Sequence, residues 1–261
     1  MTKKRTKTAL ALTVSTLAIA VLAFAFVMHH ARSSGSLPQT VDSLTVGYDY
    51  PVASTLQQMI DSADYIVIGE YTEFNSTWNM ARNPDNIKEE DPGNYVEGRL
   101  YDFTVEKTIK GSIDDSSILI NHRYSEVVNT TESNAVVDSE GRILKAATKS
   151  RDLSFKVASP LFIEPELDCK YILFLSKDAN FGNYYAAIEP FSVKITNGKA
   201  VLQSNLINKT DAFTQQIKTS DSKELTVIID MGGISIADEI TGKALEDIIR
   251  MIEDETAKSP H

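Results

Sequence analysis

Along this chain apolar side chains come first as one unbroken block and then as a series of short alternating runs. The block is Thr8 to Met28, which holds no charged residue and only a few hydroxyls. As a helix its 21 residues would extend about 31 Å, close to the hydrocarbon thickness of a bilayer. Residues 29–43, with Ser33, Ser34, Gly35, Ser36 and Pro38, have no periodicity and predict a linker. The alternating runs fill residues 44–256 and predict one β-rich domain, after which 257–261 reads as a disordered tail.

One stretch organises that domain: Ala63-Asp64-Tyr65-Ile66-Val67-Ile68-Gly69-Glu70-Tyr71-Thr72. Tyr65 to Ile68 are apolar on both faces, the pattern of a central strand covered from two sides. From Gly69 onward polar residues open one face to water. Before it, Leu56, Met59, Ile60 and Ala63 share one face of a predicted helix over 55–63, with Ser54 as N-cap and Gln57 at the capping-box spacing. Leu44–Tyr48 predicts a short edge strand, ended by Pro51.

Asn75 to Gly98 reads as a long polar loop carrying Trp78 and Met80. Arg99–Ile109 then alternates, with Tyr101, Phe103, Val105 and Ile109 on one face. Ile118, Ile120, His122 and Tyr124 alternate in a third strand. Residues 126–160 predict an insertion with its own small β element, a hairpin around Asp138–Gly141 and a strand at Leu153–Val157. Cys169–Leu175 predicts a fully buried strand, with Tyr184–Ile188 as its partner. Asn197-Gly198, between Phe191–Ile195 and Lys199–Leu202, is a strong hairpin signal. A strand at Leu225–Ile229 and an amphipathic helix bearing Ala244, Leu245, Ile248, Ile249 and Ile252 complete the pattern. The helix is expected to cover an open side of the sheet and to fray from Glu255.

Charge adds location. Lys3, Lys4, Arg5 and Lys7 precede the apolar block and only Arg32 closely follows it. The positive-inside rule therefore keeps residues 1–7 in the cytoplasm and exports the rest. We read Thr8–Met28 as a single transmembrane anchor in the cell membrane. Ala23-Phe24-Ala25 has the spacing of a cleavage site, so a removed secretory signal is the alternative. Either way, residues from about 32 onward lie on the extracellular side. That exported part holds 22 basic against 36 acidic side chains, a formal −14, which disfavours nucleic acid as a partner.

Little of the chain points to a reaction. Of four histidines, two adjoin the apolar block and one is the last residue. Only His122 could serve a Ser-His-Asp or Cys-His site, and its place beside Ile118 and Ile120 reads instead as a residue at the mouth of the sheet with one hydrogen bond. Cys169, the single cysteine, reads as a small buried hydrophobe. Gly242-Lys243-Ala244 lacks the hydroxyl and upstream glycine of a phosphate loop, and Asp85–Asp91 lacks the glycine and spacing of a calcium loop. No catalytic residue, metal ligand or cofactor is predicted. A pair of carboxylates stays open, since 36 acids allow many pairs.

The order of the helix, Ser62-Ala63-Asp64-Tyr65-Ile66-Val67-Ile68-Gly69, a long loop, Tyr101-Asp102-Phe103-Thr104-Val105, Lys110-Gly111 and Lys170-Tyr171-Ile172-Leu173-Phe174-Leu175 resembles a known plan. It is similar to the oligosaccharide/oligonucleotide-binding (OB) barrel of netrin-like modules and tissue inhibitors of metalloproteinases. It is still more similar to membrane-anchored surface proteins of Gram-positive bacteria. The resemblance covers roughly residues 52–196. It implies a mainly β fold, an OB-like curved β-barrel with a short helix before it and an amphipathic helix after it. The inhibitors' disulfides and N-terminal cysteine are missing here, so protease inhibition is not carried over.

Ligands of OB barrels favour the loops joining strands one to two and four to five. Those loops map to Asn75–Gly98 and Lys177–Asn183, which would bring Trp78, Phe181 and Tyr184 to one ligand-binding rim where aromatics stack on a sugar or peptide. The competing reading of Trp78 is a cap folded over the barrel. The expected function is a non-enzymatic extracytoplasmic binding or accessory module at the cell envelope, anchored in the bilayer and meeting an envelope protein or glycan. The alternatives are an envelope glycan hydrolase with an Asp/Glu pair, and a structural or sensory partner of another membrane protein through Thr8–Met28.

Overall fold

Local chemistry starts the fold at Thr55, whose Oγ1 accepts the Gln58 N–H at 3.2 Å and opens helix α1 (Leu56–Ser62). Thr55 has the extended backbone of a cap, so the helix begins one residue later than the expected Ser54 cap. Ser54 instead donates its N–H to Gln58 Oε1 at 2.6 Å. The computed structural model describes residues 43–258 apart from 49, 134–135, 138–142, 146–149, 210 and 220–222. The expected membrane segment, its basic flank and the linker up to residue 42 lie outside the described residues. Among the described residues no helix is long and apolar enough to cross a membrane.

Met59 and Ile60 of α1 enter the core, and the chain turns directly into β2 (Tyr65–Asn79) after β1 (Ser43–Gly47). As the run of apolar residues requires, β2 is central. It pairs antiparallel with β5 (Val96–Lys110) on one side and β10 (Lys170–Lys177) on the other. β5 pairs with β6 (Ser117–Ser133), and β6 runs parallel to β11 (Tyr184–Ala186). β11 pairs back to β10, so the ladders curl round and return to β2. The protein is thus mainly β with two helices, built on a strongly curled sheet.

Successive β2 side chains serve opposite cores. Val67 and Tyr71 point into the curl with Tyr101, Phe103, Ile120, Leu173 and Leu175. Ile66 and Ile68 point outward with Met59, Ile172 and Phe174. Gly69 falls on the inner side, where a Cβ would lie 2.6 Å from Phe103 Cε1. The outer core is closed by α2 (Leu245–Lys258) through Ile248 and Ile252, and by β15 (Glu224–Asp230) through Leu225, Val227 and Ile229. Each such side chain, buried from water, stabilises the fold by roughly 1.5–3 kcal/mol. β15 sits between β14 (Phe213–Lys218) and the edge strand β1. β12 (Ser192–Thr196) and β13 (Lys199–Gln203) flank the turn at Asn197-Gly198, both with positive φ as a tight hairpin needs.

Several expectations are corrected. The stretch from Asn75 to Gly98 is not a structureless loop: β2 and β5 are 15 residues each and their ladder runs out to Asn79 and Glu97. β3 (Arg82–Asn83) and β4 (Asn86–Glu90) pair beyond them. Backbone hydrogen bonds carry this extension, and they leave no trace in side-chain polarity. Four register shifts bend the β2–β5 ladder. They also turn Ile109 into the outer core, away from Tyr101 and Phe103.

Residues 126–160, expected as an insertion with its own small β element, join the main sheet. β6 continues through it and pairs with β9 (Ser150–Ala158), whose Leu153, Phe155 and Val157 join the outer core. The small hairpin β7 (Val136–Val137) and β8 (Ile143–Lys145) is present where expected. Cys169 precedes β10 rather than lying inside it and is half-buried, its thiol donating to Glu166 Oε1 at 3.2 Å. Helix α2 extends through Glu255 to Lys258; residues 259–261 lie outside the described residues.

Candidate functional site

The long β2–β5 hairpin and the short β10–β11 turn lean over the same edge of the curled sheet. On β2, Trp78 lies opposite Gly98 of β5. Without a side chain at Gly98 the indole reaches across to β6, where Nε1 donates to Asn121 Oδ1 at 3.0 Å. Met80 Sδ meets the Asn121 amide at 3.6 Å. From the other side, Asp178 Oδ1 accepts the N–H groups of Asn180 at 2.8 Å and Phe181 at 3.1 Å, and Gly182 takes a φ of +73 to close the turn. This turn sets the Phe181 ring 5.2 Å from the Trp78 ring. The Arg82 guanidinium of β3 lies 4.7 Å from the Trp78 centroid and 4.6 Å from that of Phe181.

These rings wall a cavity of about 400 Å³, within the range of small-molecule sites. Its lining is mostly apolar and aromatic and includes Leu161, Phe162, Ile188 and Phe191 besides Trp78 and Phe181. Ile87 and Tyr185, 51% and 41% exposed, belong to the same lining and are two of the few large apolar side chains left in water.

His122 forms part of the lining beside Asn121, 5.4 Å from the Phe191 ring. Its Nε2 lies 3.0 Å from the Tyr71 hydroxyl, and burial pushes its pKa down to about 3, so the imidazole is neutral. Burial among Tyr101, Phe103 and Tyr171 holds the Tyr71 hydroxyl well above its ordinary pKa, so it stays protonated. Glu189 is also buried in this lining. The loss of solvent raises its pKa to about 7, against a smaller opposing effect of the Ser204 hydroxyl, which donates to its Oε1.

Trp78 and Phe181 therefore meet as expected, across 103 residues of sequence. Tyr184 does not join them. It is 4% exposed inside the curl, packed edge-on against Tyr65 at 5.3 Å. Alternation along β11 turns its neighbour Tyr185 to the cavity instead. Two adjacent tyrosines give no clue to which one faces inward. Arg82, Asn121 and Glu189 escape sequence reading for a similar reason: each is one polar residue, and only the folded chain brings it to the wall.

Among the described residues no group of three His, Cys, Asp or Glu side chains is placed to hold a metal ion. Arg99 and Tyr101 form a separate cluster with Glu164, the guanidinium 3.4 Å from the Tyr124 centroid. Compared with known proteins, the chain matches no family model, no curated protein and no solved structure.

Proposed function

We propose that this chain is a non-enzymatic ligand-binding module of the cell envelope, an OB-like barrel held outside the membrane by Thr8–Met28. The order of the ladders supports such a barrel: first strand to second, second to third, third parallel to fifth, fifth to fourth, and fourth back to first. The basic flank and the apolar length of the anchor support its location. The observation that carries the function is the aromatic cavity between the β2–β5 hairpin and the β10–β11 turn, the two connections at which OB barrels take ligands. An envelope protein or glycan is the partner class.

The test is retention of the full chain on isolated envelope material, compared with a variant trimmed of residues 80–94 and with Phe181→Ala. Both changes should abolish retention; unaltered retention by both would refute the assignment. Protease added to intact cells should digest the part beyond residue 43, and its survival would refute the location.

A glycan hydrolase is the second reading, favoured by one observation: Glu189, with a pKa near 7, shares the cavity with Asp178. Asp178 already spends Oδ1 on two amide N–H groups, which suits a turn anchor better than a nucleophile. Glycan cleavage lost on Glu189→Gln would establish the hydrolase.

A further inference from the structure

Arg82 differs from the other arginines whose side chains are described. Arg99, Arg123 and Arg250 each lie against a carboxylate, at 2.7, 2.5 and 2.5 Å. No carboxylate among the described residues pairs with Arg82, in a chain with 36 acids. Even Glu90, opposite it in the β3–β4 ladder, is exposed and makes no ion pair with it. The guanidinium is held by the Trp78 and Phe181 rings. Its Nη2 donates to the Asn79 carbonyl, while Nε is shielded from solvent and has no acceptor among the described residues. A shielded charged donor without an acceptor is unfavourable, and an acceptor brought by a ligand would relieve it. Fixing the guanidinium plane with aromatic rings also prepares it for a carboxylate or phosphate.

The remaining charges of the lining do not compete for that role. Arg123 is paired with Glu126. Asp178 Oδ1 is occupied by two amides, and Glu189 accepts from Ser204 away from water. Because Glu189 is largely protonated below neutral pH, it does not repel an anion there. His122 is neutral. The rest of the wall carries no charge: it is apolar and aromatic apart from Asn121, Ser159 and Asn180.

Building on the binding reading above, we propose that the cavity takes a small amphipathic anion, its apolar or aromatic body against Trp78, Phe181 and Phe191 and its carboxylate or phosphate on Arg82. Trp78 is the only tryptophan in the chain, so its emission reports occupancy without a label.

The test titrates the full chain in phosphatidylcholine vesicles at about pH 6, where Glu189 is mostly protonated, with octanoate, octyl phosphate and octanol. One or both anions should change Trp78 emission saturably and bind about tenfold more tightly than the alcohol. Whichever anion binds better identifies the head group. Arg82→Gln should erase the difference between the anions and octanol, with the same vesicles controlling for partition into lipid. Equal binding of alcohol and anions by the unaltered chain overturns the anion assignment while leaving a binding cavity, and that comparison needs no substitution. A preference for anions that persists in Arg82→Gln also overturns it. Absence of saturable binding by all three probes removes the amphiphile altogether, whereas envelope retention tests the binding reading separately.

Discussion

The Trp78 indole N–H donates to Asn121 Oδ1 at 3.0 Å, crossing the gap left by Gly98 and tying the β2–β5 hairpin to β6. One hydrogen bond thus sets the orientation of the ring that forms a wall of the cavity. Asn121→Ala should leave a part-buried donor unmet and cost about 1–3 kcal/mol in urea unfolding. Trp78 emission should shift to the red as the ring is released. An unshifted spectrum with a loss below about 0.5 kcal/mol would show that the bond does not orient the ring.

Two glycines should respond differently to alanine. At Gly98 an added Cβ meets side chains, Trp78 Nε1, Asn121 Oδ1 at 2.5 Å and Met80 Cγ at 2.8 Å, which can shift. Gly98→Ala should cost about 1–3 kcal/mol and displace Trp78 while the sheet still folds. At Gly69 the Cβ meets the Thr104 backbone carbonyl as well as Phe103, and backbone in a central ladder cannot give way. Gly69→Ala should be the more destabilising of the two, read from denaturation midpoints. The reverse order would refute this account of the inner core.

Stability should depend on pH through Glu189 and His122 in opposite senses. For Glu189 the folded pKa, about 7, exceeds the ordinary 4.5, so its contribution is complete below 4.5 and is lost as pH rises through 7. That loss is on the order of 3 kcal/mol at 1.36 kcal/mol per unit. For His122 the folded pKa, about 3, is below the ordinary 6.5, so its contribution is complete above 6.5 and is lost as pH falls toward 3. Between about 4.5 and 6.5 the two slopes oppose each other. Subtracting the curve of Glu189→Gln should isolate a loss on alkalinisation centred between 4.5 and 7. Subtracting that of His122→Phe should isolate a loss on acidification. Flat difference curves would mean that neither group titrates as its burial dictates.

Phe155 tests whether β9 belongs to the main fold. It is 4% exposed and packs in the outer core. Phe155→Ala should cost about 3–5 kcal/mol in global unfolding. A loss under about 1 kcal/mol, or melting confined to residues 126–160, would restore the view of that segment as a satellite.

Hydropathy alone determined much of this protein. Tyr65–Ile68 is apolar on both faces because β2 separates two cores, and the stripe through Ile248 and Ile252 is apolar because it closes one of them. Asn197-Gly198 marks its hairpin because only residues tolerant of positive φ make that turn. These features are local, so the residues involved record them. Tertiary structure decided the rest. The ladder beyond Phe74 rests on backbone groups that every sequence has, the bulges that re-aim Ile109 depend on its partner strand, and strand parity alone separates Tyr184 from Tyr185. Arg82, Asn121 and Glu189 became a site only when distant segments converged, since their chemistry comes from neighbours and burial that no window of sequence contains.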